Sequence, residues 1–321
     1  MKKLICLALL AGWCLLPGAA LGQTPRAAVV WVDESKSIIE GFFKGMRELG
    51  LVDGKNIAYE TYQAGTSVEL LGKLIQQAVE SRPNIIVTST TTATLRLAKA
   101  TEGNRIPVVF LAAGDPLRFV KSWQSSGNNL TGIADASFEL VGKRMEHLRE
   151  ANPKIKSLIL INNTEGTNYR KIQELARESA KKLRLELNEI EIHADSAAAV
   201  KDQLAQITRK QGDALFVPSD MALVGAAPMI AEHAIKEKLP STGPKFTNAK
   251  DGLLLALSQD NEALGRQGAG LVVKVLKGTR PSDLPIEFPL KLLLGLNART
   301  ARAIHLPLPR DLVQRADEVI N

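Results

Sequence analysis

Ala27-Ala-Val-Val-Trp-Val-Asp33, followed by Lys36-Ser-Ile-Ile-Glu-Gly-Phe-Phe-Lys-Gly-Met-Arg-Glu-Leu-Gly50, decides the fold class. The first run is continuously apolar, which reads as a strand buried on both faces, as in a parallel sheet covered by helices. Residues 36–50 place Ile38, Ile39, Phe42, Phe43, Met46 and Leu49 on one helical face, with Gly50 as the stop. A doubly buried strand feeding an amphipathic helix is half of a βαβ unit, and the pattern continues outward from it. Strands are predicted at 56–62, 84–88, 107–111 and 130–133, with helices at 67–81 and 91–101. After about residue 136 the alternation starts again, with helices at 137–151, 167–184, 196–211 and 222–237. The strands of this second series are predicted at 157–161, 186–192, 214–217, near 245–247 and at 252–257, before a helix at 261–277 that ends at Gly278. Right-handed crossovers between such strands give a parallel sheet, so the chain reads as α/β with two similar lobes.

The 321 residues are 45% hydrophobic, 23% charged and 4% aromatic, which excludes a disordered or collagen-like chain and leaves room for about two domains. Residues 1–22 read as a secretory signal. Lys2 and Lys3 begin it, Leu4–Leu16 form a short apolar stretch, and Ala20-Leu-Gly22 offers a cleavage site after about Gly22. That stretch is too short to span a bilayer, and Trp13 before Cys14 argues against a lipid anchor. The expected location is periplasmic. Cys6 and Cys14 both lie inside the signal, so a mature chain has no disulfide, thiolate metal site or cysteine nucleophile. Without Lys2 and Lys3, 39 bases stand against 34 acids. The excess is dispersed, and its densest pairs, Lys181-Lys182 and Arg209-Lys210, sit on polar helix faces. No nucleic-acid partner is expected, since aromatic residues are not interleaved with the bases.

Several stretches resemble one family. Phe42–Ile57, Ile106-Pro-Val-Val-Phe110 with Gly114-Asp-Pro116, Asn129-Leu-Thr-Gly132, Asp213-Ala-Leu-Phe-Val-Pro218 and Leu264-Gly-Arg-Gln-Gly-Ala269 occur in order. Asn297-Ala-Arg-Thr-Ala-Arg-Ala-Ile-His-Leu-Pro-Leu-Pro309, closing with Arg315-Ala-Asp-Glu-Val-Ile320, completes the set. Together they resemble the ABC-transporter substrate-binding protein family that includes tryptophan-binding proteins. Each motif alone is weak, but their order and spacing are specific and span the whole mature chain. The resemblance implies two Rossmann-like lobes with parallel sheets joined by a hinge, a periplasmic binding protein of type 1-like fold whose chain crosses between lobes three times. It implies a first lobe of 27–132 plus 253–288 and a second of 133–252 plus 289–321. A small-molecule ligand is then caught by hinge closure and presented to a membrane permease. The loop Asp33-Glu-Ser-Lys36 is shorter than usual in the family, and Thr247-Asn-Ala-Lys-Asp-Gly252 replaces a Ser-Asp-Glu-rich segment, so the ligand stays open.

Ligands of parallel sheets bind outside the carboxyl ends of the strands. In the first lobe those positions are Glu34, Ser35, Ser89, Thr90, Thr91, Thr92, Gly114 and Asp115. In the second they are Asn163, Glu165, Thr167, Tyr169, Ser219, Asp220 and Asn248, within the wider loops Asn162–Asn168 and Thr247–Asn248, and the late strand adds Ser258–Asp260. Ser89-Thr-Thr-Thr92 at a helix start suits a carboxylate, although one hydroxyl there serves equally as a helix cap. Asp115 either binds an amine or hydroxyl or caps the turn that Pro116 begins. Glu34, Glu165 and Asp220 would surround a cationic group, so acids opposite a hydroxyl-rich helix start suit a zwitterion such as an amino acid. Trp31 reads as core, Tyr169 as a stacking candidate and Trp123 as a surface anchor of its own lobe.

No Gly-x-Ser-x-Gly elbow, phosphate loop or His-Glu-x-x-His pair occurs, and His147, His193, His233 and His305 lack partners at ligand spacing. Gly265–Gly270 mimics a dinucleotide loop faintly, but it lies inside a helix, where small residues permit close packing. Neither an enzyme nor a cofactor is expected. The reading is solute capture for uptake by a monomer; a membrane sensor partner, a kinase or cyclase, is the alternative, and a secreted α/β enzyme a third.

Overall fold

The computed structural model describes residues 24–166 and 168–321. The signal reading for residues 1–22, and with it the cleavage site, lies outside the described residues. In chain order the first lobe contains β1 (Arg26–Trp31), α1 (Lys36–Glu48), β2 (Ala58–Gln63), α2 (Val68–Glu80), β3 (Ile85–Ser89), α3 (Thr91–Thr101), β4 (Val108–Ala113) and β5 (Leu130–Ala134). The chain then crosses to α4 (Leu140–Ala151), β6 (Ser157–Asn163), α5 (Tyr169–Leu183), β7 (Glu186–Ile192), α6 (Ala197–Gln203) and β8 (Ala214–Phe216). Next come α7 (Met221–Gly225), α8 (Ala227–Lys236), β9 (Ser241–Gly243) and β10 (Leu255–Gln259). It returns to the first lobe for α9 (Asn261–Leu276) and ends in the second with β11 (Leu292–Asn297), α10 (Ala298–Ala303), α11 (Arg310–Arg315) and β12 (Glu318–Ile320).

The two sheets run in the orders β2-β1-β3-β4-β5 and β12-β11-β10-β9-β8-β6-β7, parallel throughout except for the β10–β11 pair. Each sheet is covered on both faces, as its apolar strands require. In the first lobe α1 and α9 pack one face through Ile38, Phe42, Leu264 and Val272, and α2 and α3 the other through Leu71, Ile75 and Leu97. In the second, α4 and α5 bring Met145, Leu148 and Ala176 to one face, and α6 to α8 bring Val200, Leu223 and Ile230 to the other. Fully burying a side chain such as Phe42 contributes about 1.5–3 kcal/mol, so each lobe is held by its own core. Among the described residues no helix is long and apolar enough to cross a membrane.

Three departures from the sequence reading have physical causes. The expected division puts residues 253–259 in the first lobe, but β10 lies between β9 and β11 of the second sheet, and the chain crosses only after Gln259. Apolar residues Leu253–Leu257 satisfy either sheet, and the choice rests on pairing with Thr242, Gly243 and Leu292–Leu296. The strand expected near 245–247 is instead β9 at 241–243; Phe246–Ala249 forms a 3-10 turn closed by Asn248, whose Oδ1 accepts from Lys245 N at 2.9 Å. The helix expected at 196–211 stops near Gln206, because Gln211 Oε1 takes Thr208 N and Oγ1 and turns the chain toward β8.

Candidate functional site

The carboxyl ends of β3 and β4 carry the most strained backbone of the first lobe. Thr90, Ala112 and Asp115 all have positive φ, at 71°, 53° and 48°, and a bulge breaks the β4–β5 register between Leu111 and Ala113. Strain of this kind persists only where surrounding structure over-determines it, and it concentrates at functional sites. Thr91 supplies part of that constraint: its Oγ1 accepts from Gly114 N at 2.8 Å and donates to Gly114 O at 3.1 Å. The Thr91 hydroxyl is therefore spent on the scaffold. Thr90 is the helix cap, with Oγ1 accepting from Ala93 N at 3.4 Å. That leaves the exposed Thr92 hydroxyl, and among the described residues the Thr91 and Thr92 amides have no hydrogen-bond acceptor. Ser89 is fully buried, and among the described residues its Oγ has no partner.

Asp115 caps nothing. It is exposed, its side chain makes no capping bond to the 3-10 turn Pro116–Arg118, and the turn is closed by its backbone carbonyl from Arg118 N. Beside it stands a pair of acids from the first crossing segment, Asp135 and Glu139. Burial, reinforced by the carboxylates of Asp135 and Asp115, pushes the Glu139 carboxyl above the usual range, although the residue as a whole is exposed. Phe138 of the same segment packs against the Gly114 turn. These residues escaped the sequence reading because 137–151 has one helical period; the helix begins only at Leu140, leaving Asp135–Glu139 irregular. The signal was present as Asp135 and Glu139 immediately after a strand end.

Because the raised Glu139 pKa penalises the charged form only in the folded state, the cost is absent below the ordinary carboxylate pKa and complete above the folded one. Glu139→Gln is expected to stabilise the ligand-free protein at pH 7 by no more than about 1 kcal/mol, because solvent screens an exposed residue. Urea midpoints of the two proteins should converge by about pH 3.5; an equal gap at both pH values would contradict the assignment.

In the second lobe the predicted residues divide. Asn163 is buried and wholly engaged: Nδ2 donates to Ala194 O at 2.8 Å and Asp220 Oδ1 at 3.1 Å, while Oδ1 accepts from Ala194 N at 3.0 Å. Asp220 caps α7 through Leu223 N at 3.0 Å, and its other oxygen lies against Gly166. Asn248 is buried inside its own turn, with Nδ2 on Asp251. These three build the scaffold. Glu165 is exposed, 3.9 Å from His193, and Ser219 is half-buried beside Asp220. Tyr169 opens α5 with Arg170 over its ring at 5.7 Å and Arg170 Nε donating to its hydroxyl at 3.0 Å. Thr167 lies outside the described residues. Asn162, next to Asn163, is buried, and among the described residues its Nδ2 has no partner. Glu34 is exposed in the turn before α1, where Ser35 is buried.

Trp31 packs on the first-lobe core, and Trp123 stacks on Phe288 with ring centroids 4.8 Å apart. A separate groove of about 740 Å³ lies on the flank of the first lobe, between the end of α3, Arg118-Phe119 and Pro281. None of the candidate ligand-binding residues lines it.

The chain is 25% identical over 269 residues to the tyrosine-binding protein of Clostridioides difficile, covering 83% of this chain and 76% of that one. Several solved structures cover 92% of it, two of them as follows. One is the ligand-free, open structure of a substrate binding protein with adhesive properties from Clostridium difficile, 22% identical, with 99% of that chain covered and a TM-score of 0.80. The other is an ABC domain from Streptococcus pneumonia in complex with L-Trp, 21% identical, with 100% of that chain covered and a TM-score of 0.77. The model of the ABC transporter substrate binding protein family matches residues 27–320, essentially all of the described chain, and the protein belongs to that family.

Proposed function

We propose that the protein captures an amino acid between its two lobes, outside the cytoplasm, and delivers it to the permease of an ABC transporter. The observation that carries this reading is the pairing of opposite chemistries at the ends of β3 and β4. The free amides of Thr91 and Thr92 with the Thr92 hydroxyl would take the carboxylate, at the positive end of the 11-residue α3. Asp115 and Glu139 would take the ammonium group. The tyrosine and L-Trp in the names of its relatives make aromatic amino acids the first to test, with Phe138 and Tyr169 as the rings available to meet them. Capture without turnover is the role proposed, since the relatives are binding proteins.

A thermal-shift screen of residues 23–321 against the common amino acids tests it. A ligand at a hundred times its dissociation constant adds about 2.7 kcal/mol to stability. A rise in melting temperature with one amino-acid class supports the reading, and no shift with any of them at millimolar concentration sinks it. Asp115→Asn, which tolerates the left-handed backbone, should weaken binding of that amino acid at least about tenfold. Unchanged affinity would return Asp115 to a purely structural role.

A further inference from the structure

Among the described residues no hydrophobic cluster is shared between the lobes. They are joined by three segments, at 135–139, 259–261 and 287–292, and two bodies with separate cores joined in this way rotate easily unless something couples the connections. Side-to-side bonds do couple them. Gln259 Oε1 accepts from Ala136 N at 3.0 Å, and its Nε2 donates to Asp135 Oδ2 at 3.1 Å, so one carboxamide laces the second segment to the first. Asp260 N donates to Lys291 O at 3.0 Å, and Lys291 Nζ lies 2.9 Å from Asp260 Oδ2, lacing the second to the third. The third is pinned to β5 by Ala134 N to Glu287 O at 2.8 Å, and to α9 by Gln267, which bonds Phe288 O and Leu290 N.

The two laces differ in kind. The Asp260–Lys291 connection includes a backbone bond that survives any change of side chain. Among the described residues the first and second segments share no backbone bond, so the Gln259 carboxamide is what joins them directly. Arg144 also touches Ser137 O and Leu257 O, but from α4, which anchors both to the second lobe.

We infer that Gln259 is a positioning residue that sets the angle between the lobes. By preventing the first two segments from sliding past one another, it removes twist and leaves a bend across the three segments as the soft motion. Beyond ligand capture as proposed above, on which only the affinity readout rests, this names the side chain that governs how freely the lobes reorient.

The test is the interlobe distance distribution of ligand-free protein, residues 23–321, measured by electron–electron double resonance. Spin labels are attached through Lys73→Cys on α2 and Lys181→Cys on α5, both exposed, in a chain with no cysteine after Cys14. Gln259→Met keeps the length and loses both bonds to the first segment, with the one to Asn261 Oδ1 inside its own; it should broaden the distribution about twofold relative to the parent while the melting temperature stays within about 3 °C. Gln259→Glu, which faces the Asp135 carboxylate with another, should broaden it too and serves if the Met variant folds poorly. Lys291→Met, retaining the backbone bond, should broaden it less than either. Distributions as narrow as the parent's in both Gln259 variants would overturn the inference. With L-tyrosine as probe, the Gln259 variants should bind about threefold or more weakly if closure is what they disturb. Failure of the parent to bind L-tyrosine would count against the ligand, and the ligand-free distances would still decide the role of Gln259.

Discussion

Gly265→Ala is expected to destabilise the first lobe by about 3 kcal/mol, at the top of the usual overpacking range. The reason is the approach of α1 and α9. A Cβ at Gly265 would fall inside the carbonyl oxygen of Ile38 and 2.5 Å from Phe42 N, and Gly41 on the facing helix is blocked in the same way by the backbone of Glu262. Backbone cannot rotate aside as a side chain can, so the whole helix must shift and loosen the packing of its Leu264 and Val272 in the core they share with Phe42. Helix propensity works the other way, since Ala is favoured over Gly by about 1 kcal/mol, and it offsets only part of the loss. Gly270 lies on the same helix with nothing within 4 Å of its Cβ position. Gly270→Ala should therefore stabilise by roughly 0.5–1 kcal/mol. Denaturation of the three proteins checks both signs. If Gly265→Ala and Gly270→Ala behave alike, the backbone contact between α1 and α9 is wrong.

Arg144→Met is expected to cost the second lobe about 2–4 kcal/mol. Arg144 is 1% exposed, and among the described residues it has no carboxylate in ion-pair contact. Its guanidinium instead donates to three carbonyls, Leu257 O at 2.9 Å and Ser137 O and Pro244 O at 3.3 Å each. Burial pulls its pKa down to about 10, with Asp135 opposing the shift, so the group is charged at neutral pH. Methionine fills much of the volume but leaves the carbonyls without donors in a dry interior. Arg144→Lys should recover little, because one ammonium cannot reproduce the planar fork. The sign with pH follows from the lowered folded pKa. The cost of burying the charge is complete below about pH 10 and is relieved only above it, so the loss should not vary between pH 5 and 9. Urea midpoints at pH 5, 7 and 9 measure this; a loss below about 1 kcal/mol would mean that water reaches those carbonyls. Since Arg144 and Gly265 lie in lobes with separate cores, the two losses should add to within about 0.5 kcal/mol.

The two substitutions also mark what the chain makes legible. Gly265-Arg-Gln-Gly-Ala269 reads as a close-packing segment because its small residues lie inside a predicted helix, and α9 packs in that way. Arg144 gives no such sign; in sequence it is one more base on a charged helix. The same contrast runs through the site. Strand ends can be found by eye, so the Thr90–Thr92, Gly114 and Asp115 neighbourhood was accessible. Which polar group at a strand end turns inward was not, because Asn163, Asp220 and Asn248 differ from free ligand groups only in partners such as Ala194, Leu223 and Lys245, which lie 31, 3 and 3 residues away.

By itself the sequence determined the alternation of apolar strands and amphipathic helices, hence the α/β class and two lobes, since periods of 2 and 3.6 are local properties of a chain. It also carried the family, through ordered short motifs. Tertiary structure alone decided that β10 joins the second sheet, that Asp135–Glu139 remains outside α4, and that Gln259 bridges two connections 123 residues apart. Each of these depends on which partner a strand, carbonyl or carboxamide meets, and hydrogen-bond pairing between distant segments leaves no period in the chain that could announce it.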